Sequence, residues 1–163
     1  NETLADRASA LVPSLLLHGA RPLLVVPKIS RIQLDAPPCQ RPLLAWDGSN
    51  QSARALLDAL PLLKLARHVT LLVLNPEDQR SLHGATPGTD MALFLARHGV
   101  PLEVLCATTD LPVAQAILSQ AKALGSDLLV MGGYGHTRWS EAVLGGVTST
   151  ILDIMDIPVL LAH

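Results

Sequence analysis

Residues 127–150 read DLLVMGGYGHTRWSEAVLGGVTST, and this stretch decides the fold. It opens with an uninterrupted apolar run at 128–131, which has no alternation and therefore predicts a strand covered on both faces. Glycines follow at once, at 132, 133 and 135, and a second glycine pair follows at 145 and 146. Because glycine has no Cβ, such a turn lets the backbone adopt a positive φ and lets a ligand approach closely.

The second glycine pair predicts the start of a helix, because Val147, Ile151 and Met155 fall on one helical face. The first N–H groups of a helix have no intrahelical partner and carry the positive end of its dipole, so this entrance favours an anion. His136 and Arg138, between the glycine groups, add positive charge. The pattern indicates a phosphate site, with a purely structural turn and a solvated edge as the plainer interpretation.

Composition narrows the class of protein. The chain has 163 residues, of which 49% are hydrophobic and 16% charged, enough for one domain with a sizeable core and an extension. A net charge of -2 with scattered basic residues argues against a nucleic-acid partner. Cys39 and Cys106 lack metal-ligand spacing and indicate a reducing cytoplasm. No apolar run approaches the ~20 residues that a membrane helix requires, so we expect no membrane partner. His68, His83 and His98 have neither an HxxxH spacing nor a Cys partner, so we expect no metal site.

A weak internal repeat divides the chain. Residues 20–27 (ARPLLVVP) parallel residues 156–163 (DIPVLLAH), and each follows an apolar helix. We therefore interpret residues 1–27 as the last helix and strand of a preceding domain, with chance likeness as the alternative. Residues 28–40 have linker composition, and the main domain covers residues 41–163.

Strands and helices alternate through residues 41–163, which predicts an α/β fold. We expect a five-stranded parallel sheet with order 3-2-1-4-5 and helices on both faces. Ligands of such sheets bind outside the carboxyl ends of the strands, where the strand order reverses. The turn Asp47-Gly48-Ser49 after the first strand and the glycine turn after the fourth would then be neighbours.

These motifs resemble the universal stress protein family, whose nucleotide-binding members carry G-x2-G-x9-G-[ST]. The sequence GGYG at 132–135, nine residues, and Gly145-Gly146 match this pattern except at Gly146, where the motif has Ser or Thr. The resemblance covers residues 41–163, and residues 1–27 resemble the tail of a preceding family domain, as in tandem two-domain members. It implies the universal stress protein fold, related to adenine nucleotide alpha hydrolases, and an ATP-binding regulator of the stress response that acts through a dimer.

The resemblance also implies which residues surround the nucleotide. The aspartate after the first strand lies near the adenosine, the end of the second strand lines the base, and the glycine loop takes the phosphates, with Mg²⁺ as an accompanying ion. The implied nucleotide-binding residues are Asp47, Leu74, Gly132, Gly135, His136, Arg138, Gly145, Gly146, Val147 and Thr148. Gly146 lacks a hydroxyl donor, which costs roughly 0.5–1.5 kcal/mol, or about tenfold in affinity, unless Thr148 or Ser149 compensates.

Other functions and simpler roles stay open. Asp47 could merely close its turn through an Asx-type hydrogen bond, and Leu74 is a core residue whichever function holds. A nucleotide-free scaffold of the same fold is the alternative to a nucleotide-binding regulator. No nucleophile with a paired base is visible, so we expect at most slow ATP hydrolysis.

The last strand, 159–162, is an apolar edge that needs a partner. We expect it to pair with residues 23–26, in the same chain or in another. The resemblance implies the same surface for association, because family members associate through this last strand. A homodimer and an intrachain pairing of two domains are both consistent with that expectation.

Overall fold

The computed structural model describes residues 4–30, 39–79, 88–135 and 146–163. In chain order the elements are α1 (Leu4–His18), β1 (Leu23–Val25), β2 (Pro42–Ala45), α2 (Asn50–Leu63), β3 (Val69–Leu74), a 3₁₀ turn (Pro76–Gln79), α3 (Thr89–Arg97), β4 (Leu102–Ala107), α4 (Val113–Ala123), β5 (Leu128–Gly132), α5 (Gly146–Ile154) and β6 (Val159–Ala162).

The strands form one six-stranded sheet in the order β1-β6-β5-β2-β3-β4. Strands β2 to β6 run parallel to their neighbours, whereas β1 pairs antiparallel with β6. The prediction of a five-stranded, wholly parallel sheet was therefore wrong, because it assigned the N-terminal strand to a preceding domain. The five parallel strands follow one another as β4-β3-β2-β5-β6 within this larger, mixed sheet.

The strand order reverses beside β2. This strand lies between β3 and β5, so the chain builds the sheet outward on one side and then returns to build it on the other. The carboxyl ends of β2 and β5 consequently meet at the point where open α/β sheets bind their ligands.

Apolar side chains of the central strands are buried on both faces of the sheet. Leu43 and Leu129 belong to the cluster covered by α4 and α5, whereas Leu44 and Val130 belong to the cluster covered by α2 and α3. This double burial explains why the sequence of these strands shows apolar runs rather than alternation, since alternation requires one exposed face.

The predicted pairing of the N-terminal strand with the last strand is confirmed, and it occurs within one chain. Leu23 lies opposite Leu161, Leu24 opposite Leu160, and Val25 opposite Val159. Strand β1 ends at Val25, one residue earlier than the sequence pattern predicts. Helix α1 precedes this strand and packs onto the sheet face that α4 and α5 cover.

The entry to the main domain is held by one carboxylate. Asp127 accepts hydrogen bonds from the backbone N–H of Gln40 at 2.5 Å and of Arg41 at 2.9 Å. Cys39 lies beside this carboxylate with 5% of its surface exposed. Burial, and then the charge of Asp127, raise the pKa of the Cys39 thiol to about 11. Of the predicted linker, residues 31–38 lie outside the described residues.

Candidate functional site at the carboxyl edge of the sheet

The turn after β2 carries the first predicted site residue, Asp47. Its Oδ1 accepts the backbone N–H of Ser49 at 3.0 Å, and Oγ of Ser49 caps α2 by accepting the N–H of Ser52 at 3.1 Å. Gly48 between them has φ 75°, which favours glycine. Asp47 thus has the turn-closing role of the plainer interpretation. Its second oxygen, Oδ2, makes no hydrogen bond within the described part of the chain.

The glycine turn after β5 packs directly against the first turn of α2. A Cβ atom on Gly132 would lie 2.6 Å from the backbone N of Ser52 and 2.7 Å from the carbonyl C of Gln51. A Cβ on Gly135 would lie 3.0 Å from Cδ and Oε1 of Gln51. Gly132 is therefore required by its contact with the α2 backbone, whether or not a ligand is present, whereas the contact at Gly135 is with the end of a flexible side chain. The same contacts bring the two predicted halves of the site together.

A positive φ in this turn falls on Tyr134, at 52°, and not on Gly132, Gly133 or Gly135. The expectation that the glycines serve a left-handed backbone was therefore wrong for these three residues. The absence of a Cβ lets Gly132 and Gly135 approach α2 closely and lets Gly133 approach Leu16. Tyr134 adopts a conformation that is uncommon for a residue with a side chain, and such strain concentrates at functional sites.

Two amides of the turn are already hydrogen-bonded within the protein. The N–H of Gly133 donates to the carbonyl oxygen of Ala162 at 2.8 Å, and the N–H of Tyr134 donates to Oγ1 of Thr148 at 3.2 Å. Thr148 is only 4% exposed. Its hydroxyl oxygen therefore connects the glycine turn to α5, and the hydroxyl O–H remains as a donor for a further hydrogen bond.

Helix α5 begins at Gly146, as the second glycine pair predicts. Val147 is half-buried and packs against the core cluster below it. The first turn of α5 and the glycine turn are joined through the Thr148 hydrogen bond, so the positive end of the helix dipole faces the same edge of the sheet. His136, Arg138 and Gly145 lie outside the described residues.

The end of β3 is buried in the core. Leu74 is 3% exposed and belongs to the core cluster. The next residue, Asn75, has φ 46° and fixes the loop after β4: its Nδ2 donates to the Thr109 carbonyl at 3.1 Å, and its Oδ1 accepts the Thr109 N–H at 2.8 Å. This clamp holds the two strand ends side by side.

The family model described as the universal stress protein family matches residues 40–163. The chain belongs to the universal stress protein family. No curated protein matches its sequence. Among solved structures, a universal stress protein from Archaeoglobus fulgidus is 16% identical, with a TM-score of 0.61 over 76% of this chain and 98% of that one.

Two further solved structures extend this comparison. A universal stress protein family protein from Arabidopsis thaliana with AMP bound is 18% identical, with a TM-score of 0.55 over 76% of this chain and 90% of that one. A functionally unknown protein from Pseudomonas aeruginosa PAO1 is 19% identical, with a TM-score of 0.52 over 93% of this chain but 55% of that one. At these identities the likeness shows a shared fold.

Three residues of this universal stress protein were missed by the sequence analysis. Gln51, Asn75 and Thr109 line the same edge as Asp47, yet none belongs to a motif. Asn75 carried the one available signal, because Asn at a strand end tolerates a left-handed backbone and bonds to nearby main chain. Gln51 carried none, since its contact with Gly135 joins residues that are far apart in sequence.

Among residues 4–30, 39–79, 88–135 and 146–163, no group of three or more His, Cys, Asp or Glu side chains is arranged to hold a metal ion. Within those same ranges, no helix is long and apolar enough to cross a membrane.

Proposed function

We propose that this universal stress protein binds an adenine nucleotide, ATP first of all, and acts as a regulator of the stress response in the cytoplasm. The observation that carries the proposal is the contact between the first turn of α2 and Gly132 and Gly135, which joins two strand-end turns where the strand order reverses. The AMP-bound relative from Arabidopsis thaliana supports the choice of an adenine nucleotide.

The residues at this edge suggest a division of roles. The free Oδ2 of Asp47 accepts a hydrogen bond from a ribose hydroxyl group. The loop held by the hydrogen bonds between Asn75 and Thr109 lies against the base. The phosphates sit against the amide of Gly135 and the start of α5 at Gly146, where the helix dipole favours negative charge. Mg²⁺ accompanies the phosphates, and the proposal assigns binding to the site, with slow ATP hydrolysis as the upper limit.

Isothermal titration of the chain with ATP tests this proposal. Asp47→Asn keeps the oxygen that closes the turn but removes the charge and the free acceptor, so it should weaken ATP binding by about tenfold, or about 1.4 kcal/mol. Asp58→Asn is the matched control, because Asp58 lies further along the helix that follows the Asp47 turn and pairs with Arg54, at 2.9 Å. A flat titration of the wild-type chain at about 1 mM ATP would contradict the proposal.

A nucleotide-free scaffold remains the second candidate, and a specific observation favours it. The amide of Tyr134 is satisfied by Thr148, and the side chain of Gln51 already lies against Gly135. The turn is thus partly completed by the protein itself. Saturating ATP separates the two candidates, because a ligand at 100 times its Kd stabilises a protein by about 2.7 kcal/mol. A melting temperature that does not change when ATP is added would favour the scaffold.

We further propose that β1 marks the position of a second domain of the same fold, either a preceding domain of one tandem chain or the partner in a dimer. The repeat aligns Leu23 with Val159, Leu24 with Leu160 and Val25 with Leu161, whereas the sheet pairs Leu23 with Leu161 and Val25 with Val159. Equivalent residues therefore exchange places about the pair Leu24 and Leu160. A two-fold contact between like surfaces requires this pattern.

The different exposure of Leu24 and Leu160 supports a second domain at this surface. Leu160 is 5% exposed, because α2 lies over β6, whereas Leu24 is 56% exposed. A second domain would cover Leu24 with its own equivalent of α2. The longer Pseudomonas aeruginosa structure, which matches 93% of this chain with 55% of its own length, is consistent with this arrangement.

A disulfide test distinguishes the intrachain pairing from exchange between chains. Leu24→Cys with Leu160→Cys, in a background without Cys39 and Cys106, should oxidise to a cross-linked monomer because directly opposite residues in an antiparallel pair lie close together. Cross-linked dimers would instead indicate that β1 pairs with another copy. Failure to form either product would contradict the pairing.

A further inference from the structure

We infer that Leu16, on the N-terminal helix, is a positioning residue for the nucleotide site and acts through Gly133. The inference rests on the proposed function and deepens it. Leu16 lies outside residues 40–163, which the family model matches. It makes the docking of α1 a determinant of phosphate binding.

The contact between α1 and the glycine turn is direct. Leu16 is 3% exposed, and a Cβ atom on Gly133 would lie 2.5 Å from Cδ2 of Leu16. The next nearest atoms belong to Leu161, at 3.5 and 3.7 Å. The neighbouring side chains of α1, Leu15 and Leu17, are each 45% exposed. Leu16 is therefore the side chain through which this part of α1 touches the turn.

Gly133 is held on its other sides by the end of the chain. Its N–H donates to the Ala162 carbonyl at 2.8 Å, and its carbonyl oxygen accepts a hydrogen bond from Nδ1 of His163 at 3.0 Å. Leu16 covers the face that these hydrogen bonds leave open. The backbone then continues directly into Tyr134 and Gly135, whose amide faces the proposed phosphate position. A displacement of Gly133 therefore moves the phosphate-binding amide.

The helix that carries Leu16 lies next to an edge strand of the sheet. Helix α1 packs on the sheet through Leu16 and Val12 and continues into β1, which pairs with β6 over only three residues. If α1 docking favours the phosphate-binding geometry, then nucleotide binding must favour α1 docking by the same factor. Occupancy of the site is thereby linked to the segment that leads toward the proposed second domain.

Leu16→Ala tests the inference against its neighbour Leu15→Ala on the same helix. We expect Leu16→Ala to weaken ATP binding by about tenfold, equivalent to about 1.4 kcal/mol, and to change adenosine binding by less than about twofold. Leu15→Ala should leave both affinities unchanged. A merely structural role would weaken both ligands alike, so equal losses for ATP and adenosine would overturn the inference, as would no loss for either. Leu16→Met should restore ATP binding.

A second pair of variants protects the test against loss of folding. Gly133→Ala places a methyl group against Leu16 and should weaken ATP binding, whereas Leu16→Ala with Gly133→Ala makes room for it and should recover part of the loss. Losses that simply add would contradict a direct contact.

Hydrogen exchange measured without nucleotide separates this inference from the proposed function. The amides of Gly133 and Tyr134 should exchange faster in Leu16→Ala than in Leu15→Ala, because their hydrogen bonds depend on the held turn. If wild-type protein binds neither ATP nor adenosine, the proposed function fails. Equal exchange in the two variants overturns the positioning role itself.

Discussion

Thr148→Val offers the sharpest perturbation of the site, because it replaces a hydroxyl with a methyl group of nearly the same size. The Oγ1 of Thr148 accepts the N–H of Tyr134 at 3.2 Å in a position that is 4% exposed. The substitution leaves no cavity and removes one acceptor. Any effect therefore reports the hydrogen bond that ties the glycine turn to α5.

The size of the effect follows from the environment. A buried donor left without an acceptor costs about 1 to 3 kcal/mol, and because Tyr134 is only half-buried we expect the lower part of that range, about 1 to 2 kcal/mol. For a chain of this size, that loss lowers the melting temperature by roughly 2–8 °C. Binding of ATP should also weaken, because the turn that presents Gly135 loses its tie to α5.

Urea unfolding followed by circular dichroism measures the change in stability. Thr148→Ser keeps the hydroxyl and should therefore retain most of the wild-type stability. The matched control is Thr150→Val, two residues along the same helix, whose hydroxyl also bonds to main chain, at 2.8 Å from the Gly146 carbonyl, but is exposed to water. That control should cost less than about 0.5 kcal/mol. Equal losses in Thr148→Val and Thr150→Val would refute the reasoning, because burial would then have no effect.

Three other predictions follow from single contacts. Gly132→Ala forces a methyl group onto the backbone of α2, where no flexible side chain can yield, and should destabilise the protein by about 1 to 3 kcal/mol in urea unfolding. Asn75→Gly keeps the left-handed backbone but loses both hydrogen bonds to Thr109; it should cost about 1 to 3 kcal/mol by the same assay, and unchanged stability would contradict the clamp. At pH 8 a thiol reagent should modify the exposed Cys106 but not Cys39, whose pKa is raised to about 11. Between about pH 9 and 11 the stability should fall as the pH rises, because the Cys39 thiol loses its proton at a lower pH in the unfolded state than in the folded state.

The sequence predicted most of what depends on local pattern. Apolar runs located β3, β5 and β6, because strands buried on both faces need no alternation. The glycine pair located the start of α5 at Gly146, and the alternation of strands and helices predicted which strand ends would meet. The apolar edge at residues 159–162 predicted that the last strand would pair with β1.

The remaining features depend on contacts between distant residues, which no local pattern records. The sheet gained a sixth, antiparallel strand from a segment that had been assigned to another domain. Gly132 proved to be required by the backbone of α2, and the buried Leu16 proved to cover Gly133. Thr148 was expected beside phosphate, yet its hydroxyl oxygen accepts the amide of Tyr134, a use that spacing within the motif could not reveal.

Photolabelling with 8-azido-ATP, followed by peptide mapping, tests the central claim most directly. The account predicts labels on the peptides that contain residues 46–51 and 74–75, suppressed by excess ATP, because the base lies between the turn after β2 and the end of β3. Labels that excess ATP does not suppress, or that fall on peptides away from the carboxyl edge of the sheet, would contradict it.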